Sequence, residues 1–438
     1  MGKLAVTARI LPGTSRWNRV SGIFSSALRP TPDGRRFPRL SRVLAWGTGS
    51  LLAALLLFEV LFRLLGISYP IFVWSDPIRG TAHIPGARTA FKYEGRSWIE
   101  INSDGLRGPE VAVQGLPGTF RIALLGDSFI EAFEVPFEHT VGEVLEQRLS
   151  ALRGGPVEVL NFATGGYGTA EELLTLQHQV WKYSPDLVLL AVTVGTDISD
   201  NFPGTKRSNK PRYIYQGEQL TLDTSFVTTP NYRLRSFLTR RMLGVVRYSR
   251  VAQVINRGRR LQRKRQKQQE NAAEMGGNEV GPRDMIHLPP ATPEWKEAWR
   301  VTEGILRLAQ EECRRKNTPL ALVTLTRAIQ VTPVRENKDK FLRQLGAKDL
   351  YYPERHLAEF GKRYGIPVLN LAPLVAKLAD ERQVYFHAEG STLGVGHWNR
   401  EGHHVAGELM AEWLDAQVPK APILSTKSEA TPKHAENR

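Results

Sequence analysis

The sequence of 438 residues contains a single cysteine, Cys313. One cysteine excludes any disulfide within the chain, so the cysteine content indicates neither an oxidising nor a reducing compartment. Cys313 lies in the segment AQEECRRKN, which reads as a helix, and no histidine-containing motif lies near it in the sequence. We therefore interpret it as a small buried apolar side chain rather than a reactive thiol.

Acidic residues are nearly absent from two segments. Residues 1–42 contain nine lysines and arginines and one acid, Asp33, whereas residues 233–267 contain thirteen basic residues and no acid. These segments hold +8 and +13 of a formal net charge of +15, so the remainder of the chain carries −6. A basic surface over the folded part is not predicted, and we expect no nucleic acid as a partner.

Long apolar runs are absent with one exception. Residues 43–62, VLAWGTGSLLAALLLFEVLF, contain one ionisable side chain, Glu59, which can pair with Arg63 four residues later. A helix of this length covers about 30 Å, the thickness of the hydrocarbon core of a bilayer. We predict a transmembrane signal anchor over 43–66. A buried core helix is disfavoured because the run has no polar face, and a cleaved signal peptide because no small-x-small site follows in GISYPIFVW.

The distribution of basic residues around this run predicts its orientation. Basic residues are numerous before it, whereas Arg63 and Arg79 are the first ones after it. The positive-inside rule therefore predicts a disordered cytoplasmic leader over 1–42 and an extracytoplasmic location for the rest of a single-pass membrane protein.

Five short apolar runs follow, with helix-like stretches between them. The runs are FRIALLG (120–126), VEVLNFA (157–163), DLVLLAVTVG (186–195), PLALVTLT (319–326) and IPVLNLA (366–372). The helix-like stretches are 138–152, 169–183, 293–316, 352–364 and 400–416. Buried strands that alternate with helices predict the α/β fold class, with a doubly wound parallel sheet of about five strands.

Three segments fall outside this alternation. Residues 67–118, rich in Pro, Gly and aromatic side chains, predict a membrane-proximal connector with short strands such as WIEIN. Residues from about 202 to 291, which contain RRLQRKRQKQQ, predict an insertion in a domain over 119–417, and residues 418–438 predict a disordered tail. The basic run fits either a solvated helix face or loop, or a surface for anionic lipid headgroups or an acidic polymer.

The first predicted strand ends in LLGDSFIEAF, which places Gly126, Asp127 and Ser128 at its carboxyl end. Ligands of doubly wound sheets bind at this edge, so Ser128 is a candidate nucleophile. A serine hydroxyl attacks only when a base removes its proton. The sequence must therefore supply a histidine from another part of the chain.

The candidate base is His397, in GVGHWNREGHHVAGELMAEWL just before the last predicted helix. A loop that leads into this helix can reach the end of the first strand across the sheet. His403 and His404 are rivals, but they lie at or inside the helix start, where a surface or capping role is favoured.

Attack on an ester produces an oxyanion, which needs hydrogen-bond donors already in place. NFATGGYGT follows the second strand, and Gly166 is our candidate donor from this turn. The third strand ends in VGTDISDN, which would bring Thr196, Asp197 and Asn201 to the same site.

These segments together resemble the SGNH, or GDSL, hydrolase family. Its G-D-S block matches Gly126, Asp127 and Ser128, and its glycine block matches Gly166. Its third block is usually G-N-D, and here Thr196 replaces the Asn of the oxyanion hole, with Asn201 as an alternative donor. Its last block is usually D-x-x-H, with His397 as the histidine.

The residue three positions before His397 is Gly394 instead of the usual Asp. Glu389, or a backbone carbonyl, is expected to orient the His397 ring in its place. Asp127, Asp197 and Asn399 are expected to support the site. The resemblance covers about residues 119–417 and implies the flavodoxin-like SGNH hydrolase fold.

The resemblance implies a serine ester hydrolase that works through an acyl-enzyme, with no metal or cofactor. Short acyl groups such as O-acetyl on envelope polysaccharide, or a lipid ester, are the implied substrates, and the layout resembles members tethered to the bacterial cytoplasmic membrane. Two alternatives stay open. They are an O-acyltransferase of the same fold and a catalytically decayed binding or assembly subunit.

Overall fold

A computed structural model describes residues 37–69, 71–91, 94–203, 209–259, 261–262, 282–389 and 393–417. The predicted leader up to residue 36 and the predicted tail over 418–438 lie outside the described residues, as does most of the basic run after residue 262. The chain divides after Leu64 into two compact units.

The first unit contains one long helix, α1 (Phe37–Leu64). Its part from Ser41 to Leu64 is long enough and apolar enough to cross a membrane, and none of that window is buried in protein. The Glu59 carboxylate accepts a hydrogen bond from the Arg63 guanidinium at 2.9 Å, so the one acid of the span is paired as the sequence predicts.

The second unit begins with two antiparallel hairpins. Strand β1 (Val73–Asp76) pairs with β2 (Gly80–His83), and β3 (Arg88–Phe91) pairs with β4 (Ser97–Glu100). The hairpins enclose a small apolar cluster whose buried members are Ile84, Ala87, Ile99, Ile101 and Phe133. Because Phe133 belongs to the segment just after Ser128, the predicted connector packs directly against that segment.

The centre of the second unit is a parallel sheet of five strands. They are β5 (Phe120–Leu125), β6 (Val157–Asn161), β7 (Leu187–Val192), β10 (Leu320–Thr324) and β11 (Val368–Asn370). Their spatial order is β6-β5-β7-β10-β11, which is the flavodoxin-like doubly wound order. The fold class predicted from the sequence is confirmed, and each strand lies inside a predicted apolar run.

Helices cover both faces of this sheet. They are α2 (Ser128–Glu131), α3 (Val141–Arg153), α4 (Thr169–His178), α5 (Asp197–Asp200), α8 (Pro293–Arg315), α9 (Arg335–Leu345), α10 (Tyr352–Tyr364), α11 (Leu371–Arg382) and α12 (Arg400–Gln417). Successive side chains of β5 enter opposite layers, since Ile122 and Leu124 pack in one apolar cluster and Ala123 and Leu125 in the other. The long helices α3, α11 and α12 contribute to the first cluster, and α4, α8 and α10 to the second.

The predicted insertion contains a third hairpin and further helices. Strand β8 (Arg212–Gln216) pairs with β9 (Gln219–Asp223), and Tyr213 of β8 is buried in the cluster with α8. Helix α6 (Pro230–Tyr248) follows, and then a helical segment, α7, over 250–259.

Candidate active site

Ser128 lies where β5 ends, at the carboxyl edge of the sheet. Gly126 is needed just before it, because a Cβ there would lie 2.6 Å from the Ile130 Cγ1. Asp127 is buried and its Oδ1 accepts the Phe129 N–H at 3.0 Å, which caps α2. The strand therefore turns sharply into a helix of four residues, with Ser128 as its first residue.

His397 meets this serine. The distance between the Ser128 Oγ and the His397 Nε2 is 2.7 Å, which is hydrogen-bond length. The two residues are 269 positions apart in the sequence, and the fold unites them as the motifs predict. The imidazole is in position to take the serine proton.

The loop that carries His397 is held by its neighbours. Trp398 is buried, and its indole N–H donates to the Thr326 hydroxyl at 2.7 Å. Asn399 accepts the Gly402 N–H at 2.9 Å, which caps the start of α12, and donates from Nδ2 to the Tyr385 carbonyl. Asn399 thus fixes the backbone around the histidine, which is the supporting place expected for it.

A carboxylate contacts the other ring nitrogen of His397, and it belongs to Glu94. The Glu94 Oε2 lies 2.6 Å from the His397 Nδ1, and the same oxygen accepts the His397 backbone N–H at 3.2 Å. Glu94 occupies the turn between β3 and β4, with a φ of 62°. The expectation that Glu389 orients the ring is therefore wrong for this structure, where Glu94 holds that position and Glu389 is an exposed residue after His387.

Two glycines explain why the acid comes from a distant hairpin. Gly394, in the place of the usual Asp, has a φ of 83°, and a Cβ there would lie 2.9 Å from the Tyr385 ring. Gly396 has a φ of 87°, and a Cβ there would lie 2.8 Å from the Glu94 carboxylate. The loop thus has no room for a side chain at 394, and the glycine at 396 lets Glu94 approach.

A second carboxylate faces the same ring nitrogen. The Glu134 Oε1 lies 3.2 Å from the His397 Nδ1, and the Glu134 side chain is only 6% exposed. Its Oε2 has no hydrogen-bond partner among the residues that the structure describes. The sequence does not mark Glu94 or Glu134 as site residues, because an isolated acid in a turn carries no local pattern.

The charges of the site act on the pKa of the histidine. Burial lowers the pKa of His397, but the hydrogen bond that His397 donates to Glu94 and the charges of Glu134, Glu94 and Asp127 outweigh burial and raise it to about 9. The hydrogen bond with His397 lowers the pKa of Glu94, whereas burial raises the pKa of Glu134 to about 7. The site thus stabilises the imidazolium that forms when the serine gives up its proton.

The turn at Gly166 is held by ionic groups. The buried Glu131 accepts the Gly165 N–H at 2.7 Å, and the same oxygen lies 2.7 Å from the His83 Nε2. Gly166 has a φ of 80°, and its carbonyl accepts a hydrogen bond from the Lys210 ammonium. These contacts fix the backbone of the predicted oxyanion turn.

Thr196 and Asn201, the two alternatives for a third donor, have different surroundings. The Asn201 Nδ2 donates to the hydroxyls of Thr169 and Thr302, each at 2.9 Å, so its two amide hydrogens already have partners within the protein. The Thr196 hydroxyl has only long contacts, at 3.5 Å to the Asp127 Oδ2 and at 3.4 Å to a backbone carbonyl. Thr196 is therefore the better candidate.

Asp197, another expected supporting residue, is the first residue of α5 and is fully buried. Its Oδ2 accepts the Thr193 N–H at 2.7 Å, which shapes the loop that carries Thr196. Burial raises the pKa of the other supporting acid, Asp127. Because Asp127 accepts the Phe129 N–H and Asp197 accepts the Thr193 N–H, both acids shape the backbone of the site.

The rival histidines lie elsewhere on α12. His403 is fully buried, with its ring 5.5 Å from the Trp398 ring, and burial lowers its pKa to about 3. His404 is half exposed and lies 3.6 Å from Glu408. In the described part of the chain, the Ser128 hydroxyl is hydrogen-bonded to His397, and neither His403 nor His404 takes this position.

Glu94, Glu134 and His397 form the one group in the described part of the chain whose ligand atoms are close enough to share a metal ion. Their contacts also suit proton transfer, since each nitrogen of the His397 ring already faces a partner, Ser128 on one side and Glu94 on the other. The geometry by itself thus fits a catalytic triad without further groups.

No protein-family model matches the sequence, and none of the curated proteins matches it. Solved structures similar to this chain include a lipolytic protein of the G-D-S-L family from Desulfitobacterium hafniense DCB-2, with 12% identity over 67% of this chain and 98% of that one and a TM-score of 0.32. Another is the lipase/acylhydrolase from Enterococcus faecalis, with 12% identity over 68% and 96% and a TM-score of 0.33. A third is the acetyl xylan esterase AlAXEase, with 11% identity over 67% and 100% and a TM-score of 0.34.

Proposed function

We propose that this chain is a serine ester hydrolase with Ser128 as nucleophile, His397 as base and Glu94 as the acid of the triad. The observation that carries the proposal is the continuous series of contacts from the Ser128 hydroxyl through the His397 ring to the Glu94 carboxylate, at 2.7 and 2.6 Å. Such a series activates a hydroxyl that is otherwise a poor nucleophile. A decayed binding subunit would have no need to keep this geometry.

The proposed reaction has two steps. His397 removes the Ser128 proton as the oxygen attacks the ester carbonyl, and the imidazolium then gives that proton to the alcohol that leaves. Water enters the acyl-enzyme, is deprotonated by His397, and releases the carboxylic acid and free Ser128. If a sugar hydroxyl took the place of water, the same site would be an O-acyltransferase.

The oxyanion of each step is assigned to the backbone N–H groups of Ser128 and Gly166 and to the Thr196 hydroxyl. Glu131 and Lys210 support this assignment, because they hold the turn at Gly166 before any substrate binds. A hydroxyl on a rotatable side chain is a weaker donor than a fixed amide, so we expect Thr196 to contribute least.

As substrates we propose short acyl groups, such as O-acetyl, on envelope polysaccharide or lipid. A cavity of about 750 Å³ lies along the hairpin that carries Glu94, lined by aromatic side chains that include Phe91, Trp98 and Phe137. Its lining includes neither Ser128 nor His397, and we assign to it the part of a substrate beyond the reacting ester. Aromatic walls suit either a sugar ring or an aliphatic chain.

We further propose that α1 anchors the chain in the bacterial cytoplasmic membrane, with the N-terminus in the cytoplasm and the catalytic unit outside. The apolar span and the excess of basic residues before it support this topology. Reporter fusions at residue 36 and after residue 417 test it. A cytoplasmic signal from the second fusion would contradict the proposal.

The enzymatic proposal is tested on the full chain in detergent, with an aryl acetate as substrate. We expect hydrolysis by the wild type, loss of it in Ser128→Ala, and retention in the control Ser225→Ala, which changes an exposed serine of the insertion. A fluorophosphonate probe should label the wild type and not Ser128→Ala, because only an activated serine reacts. A folded wild-type protein that takes up no label would favour the decayed subunit instead.

A further inference from the structure

Helix α6 exposes large apolar side chains on one face. Leu234, Phe237, Leu238 and Tyr248 are 59%, 58%, 43% and 67% exposed, and their spacing places them along one stripe of the helix. Tyr232, on the opposite stripe, is buried with its ring 5.0 Å from the Phe226 ring. The helix is thus held to the protein by one face, while its apolar face points away from it.

The charge around this apolar stripe has one sign. No Asp or Glu occurs between residues 224 and 269. Arg233, Arg235 and Arg240 of α6 are exposed and flank the apolar stripe, whereas Arg241 lies in line with the stripe, with its guanidinium 5.8 Å from the centre of the Phe237 ring. An exposed apolar stripe with arginine flanks has the chemistry of a helix that lies in the interface of an anionic bilayer.

The chain just after the apolar span of α1 contacts α7, the helical segment that follows α6. The Tyr69 N–H donates to the Gln253 side chain at 2.9 Å, and the Arg250 guanidinium donates to the Ser68 hydroxyl. The Arg257 guanidinium lies 5.5 Å from the centre of the Tyr69 ring. Tyr69 is five residues beyond Leu64, and five extended residues reach at most about 18 Å.

We propose that α6 and α7 form a membrane-docking surface for anionic phospholipid. Leu234, Phe237, Leu238 and Tyr248 enter the boundary between headgroups and acyl chains, and the flanking arginines bind lipid phosphates. This proposal rests on the proposed membrane span, because the short connection from Leu64 to Tyr69 keeps this surface within reach of the bilayer. An acidic polymer would satisfy the arginines but offers no apolar partner to the stripe between them.

The experiment uses the full chain in liposomes with an environment-sensitive fluorophore at Leu234→Cys. Because the only native cysteine, Cys313, is buried, the label goes to the new site. In vesicles of equal parts phosphatidylglycerol and phosphatidylcholine we expect the emission to shift to shorter wavelength and to be quenched by nitroxide lipids. A label at Lys377→Cys, an exposed residue of α11, should keep the emission of a water-exposed dye.

Charge reversal tests whether the quenching of the label at position 234 depends on the flanking arginines. The variant Arg233→Glu/Arg235→Glu/Arg240→Glu should lose the quenching at position 234, whereas a matched variant on other helices, Arg343→Glu/Lys362→Glu/Arg363→Glu, should keep it. Quenching that is equally weak at 234 and 377 in the wild type would overturn the proposal. A shift that appears in detergent and grows with protein concentration would also overturn it, because it would indicate a second copy on this surface.

Extraction at alkaline pH distinguishes the absence of a docking surface on α6 from the absence of a membrane span in α1. A chain that resists extraction but shows no quenching at position 234 has a span and no docking surface. If the chain is extracted, it has no membrane span, and this result contradicts both the proposed anchor and the docking surface that depends on it.

Discussion

The Glu94 carboxylate lies 2.6 Å from the His397 Nδ1 although 303 positions separate the two residues. This contact makes the segment between α1 and β5, the first strand of the central sheet, part of the candidate active site. The domain that the motifs outline, 119–417, lacks this acid.

The first prediction concerns the acid. Glu94→Gln removes the charge that orients and stabilises the His397 ring, and we expect kcat to fall by about 10²-fold, because Glu134 still faces the same nitrogen. Glu94→Gln/Glu134→Gln should fall by about 10⁴-fold. Steady-state kinetics on an aryl acetate measure both. Glu218→Gln, at an exposed residue in the turn between β8 and β9, is the control, and equal kcat values for Glu94→Gln and this control would remove Glu94 from the triad.

The second prediction concerns pH. The base must be neutral to accept a proton, and the pKa of His397 is raised to about 9, so kcat/KM should rise with pH and level off near that value. Glu134→Gln removes a negative charge that raises this pKa, and the rise should therefore move to lower pH. Glu336→Gln, at an exposed residue of α9, should leave the profile unchanged. A wild-type profile that levels off near the pKa of an ordinary histidine, about 6.5, would contradict the prediction.

The third prediction concerns the loop before His397. Gly394→Asp restores the residue type that is usual at this position in the family, but it meets Tyr385 and a φ of 83°. We expect a loss of about 1–3 kcal/mol in the free energy of unfolding and no recovery of activity in a Glu94→Gln background.

The control for this change is Gly154→Ala, where φ is 67° and nothing lies within 4 Å of the added Cβ. It should cost about 1 kcal/mol, from backbone strain alone. Chemical denaturation measures both losses. Activity restored by Gly394→Asp would mean that the loop can shift to offer its own acid.

The fourth prediction concerns acid stability. His403 is buried, neither ring nitrogen has a partner in the described part of the chain, and burial lowers its pKa to about 3. The unfolded chain takes up a proton at this residue below about pH 6.5, whereas the folded chain does not, so stability is lost as the pH falls.

The variant His403→Phe should reduce this loss. The difference in the free energy of unfolding between the variant and the wild type should grow by about 1.4 kcal/mol for each pH unit below 6.5. Trp413→Phe, which changes a side chain of the same helix that does not titrate, should show no such trend. Parallel pH dependences for His403→Phe and the wild type would show that His403 is not held neutral.

The central sheet could be predicted because its strands are buried on both faces and therefore read as apolar runs. The last predicted strand, 366–372, extends too far at its C-terminal end. Leu371 and Ala372 are as apolar as the strand residues, but they belong to α11, which begins after Asn370. Short apolar runs do not distinguish a strand from the first turn of a buried helix. Helix α9 was missed because its highly charged sequence has few apolar positions.

The serine and the histidine could be predicted because each lies in a motif at an element boundary. Glu94 could not, since its role follows from a turn that reaches His397 only in the folded chain. Asn201 was a reasonable alternative from its position after β7, but its amide faces the hydroxyls of Thr169 and Thr302, which only packing determines.

The distance between Glu94 and His397 along the chain also bears on biosynthesis. A ribosome has to make more than three hundred residues after Glu94 before His397 exists, and the loop that holds His397 leads directly into α12. Chains that end before His397 would therefore lack the partner of the Ser128 hydroxyl, and under the proposed function newly made protein would become active only after this last part of the catalytic unit has folded.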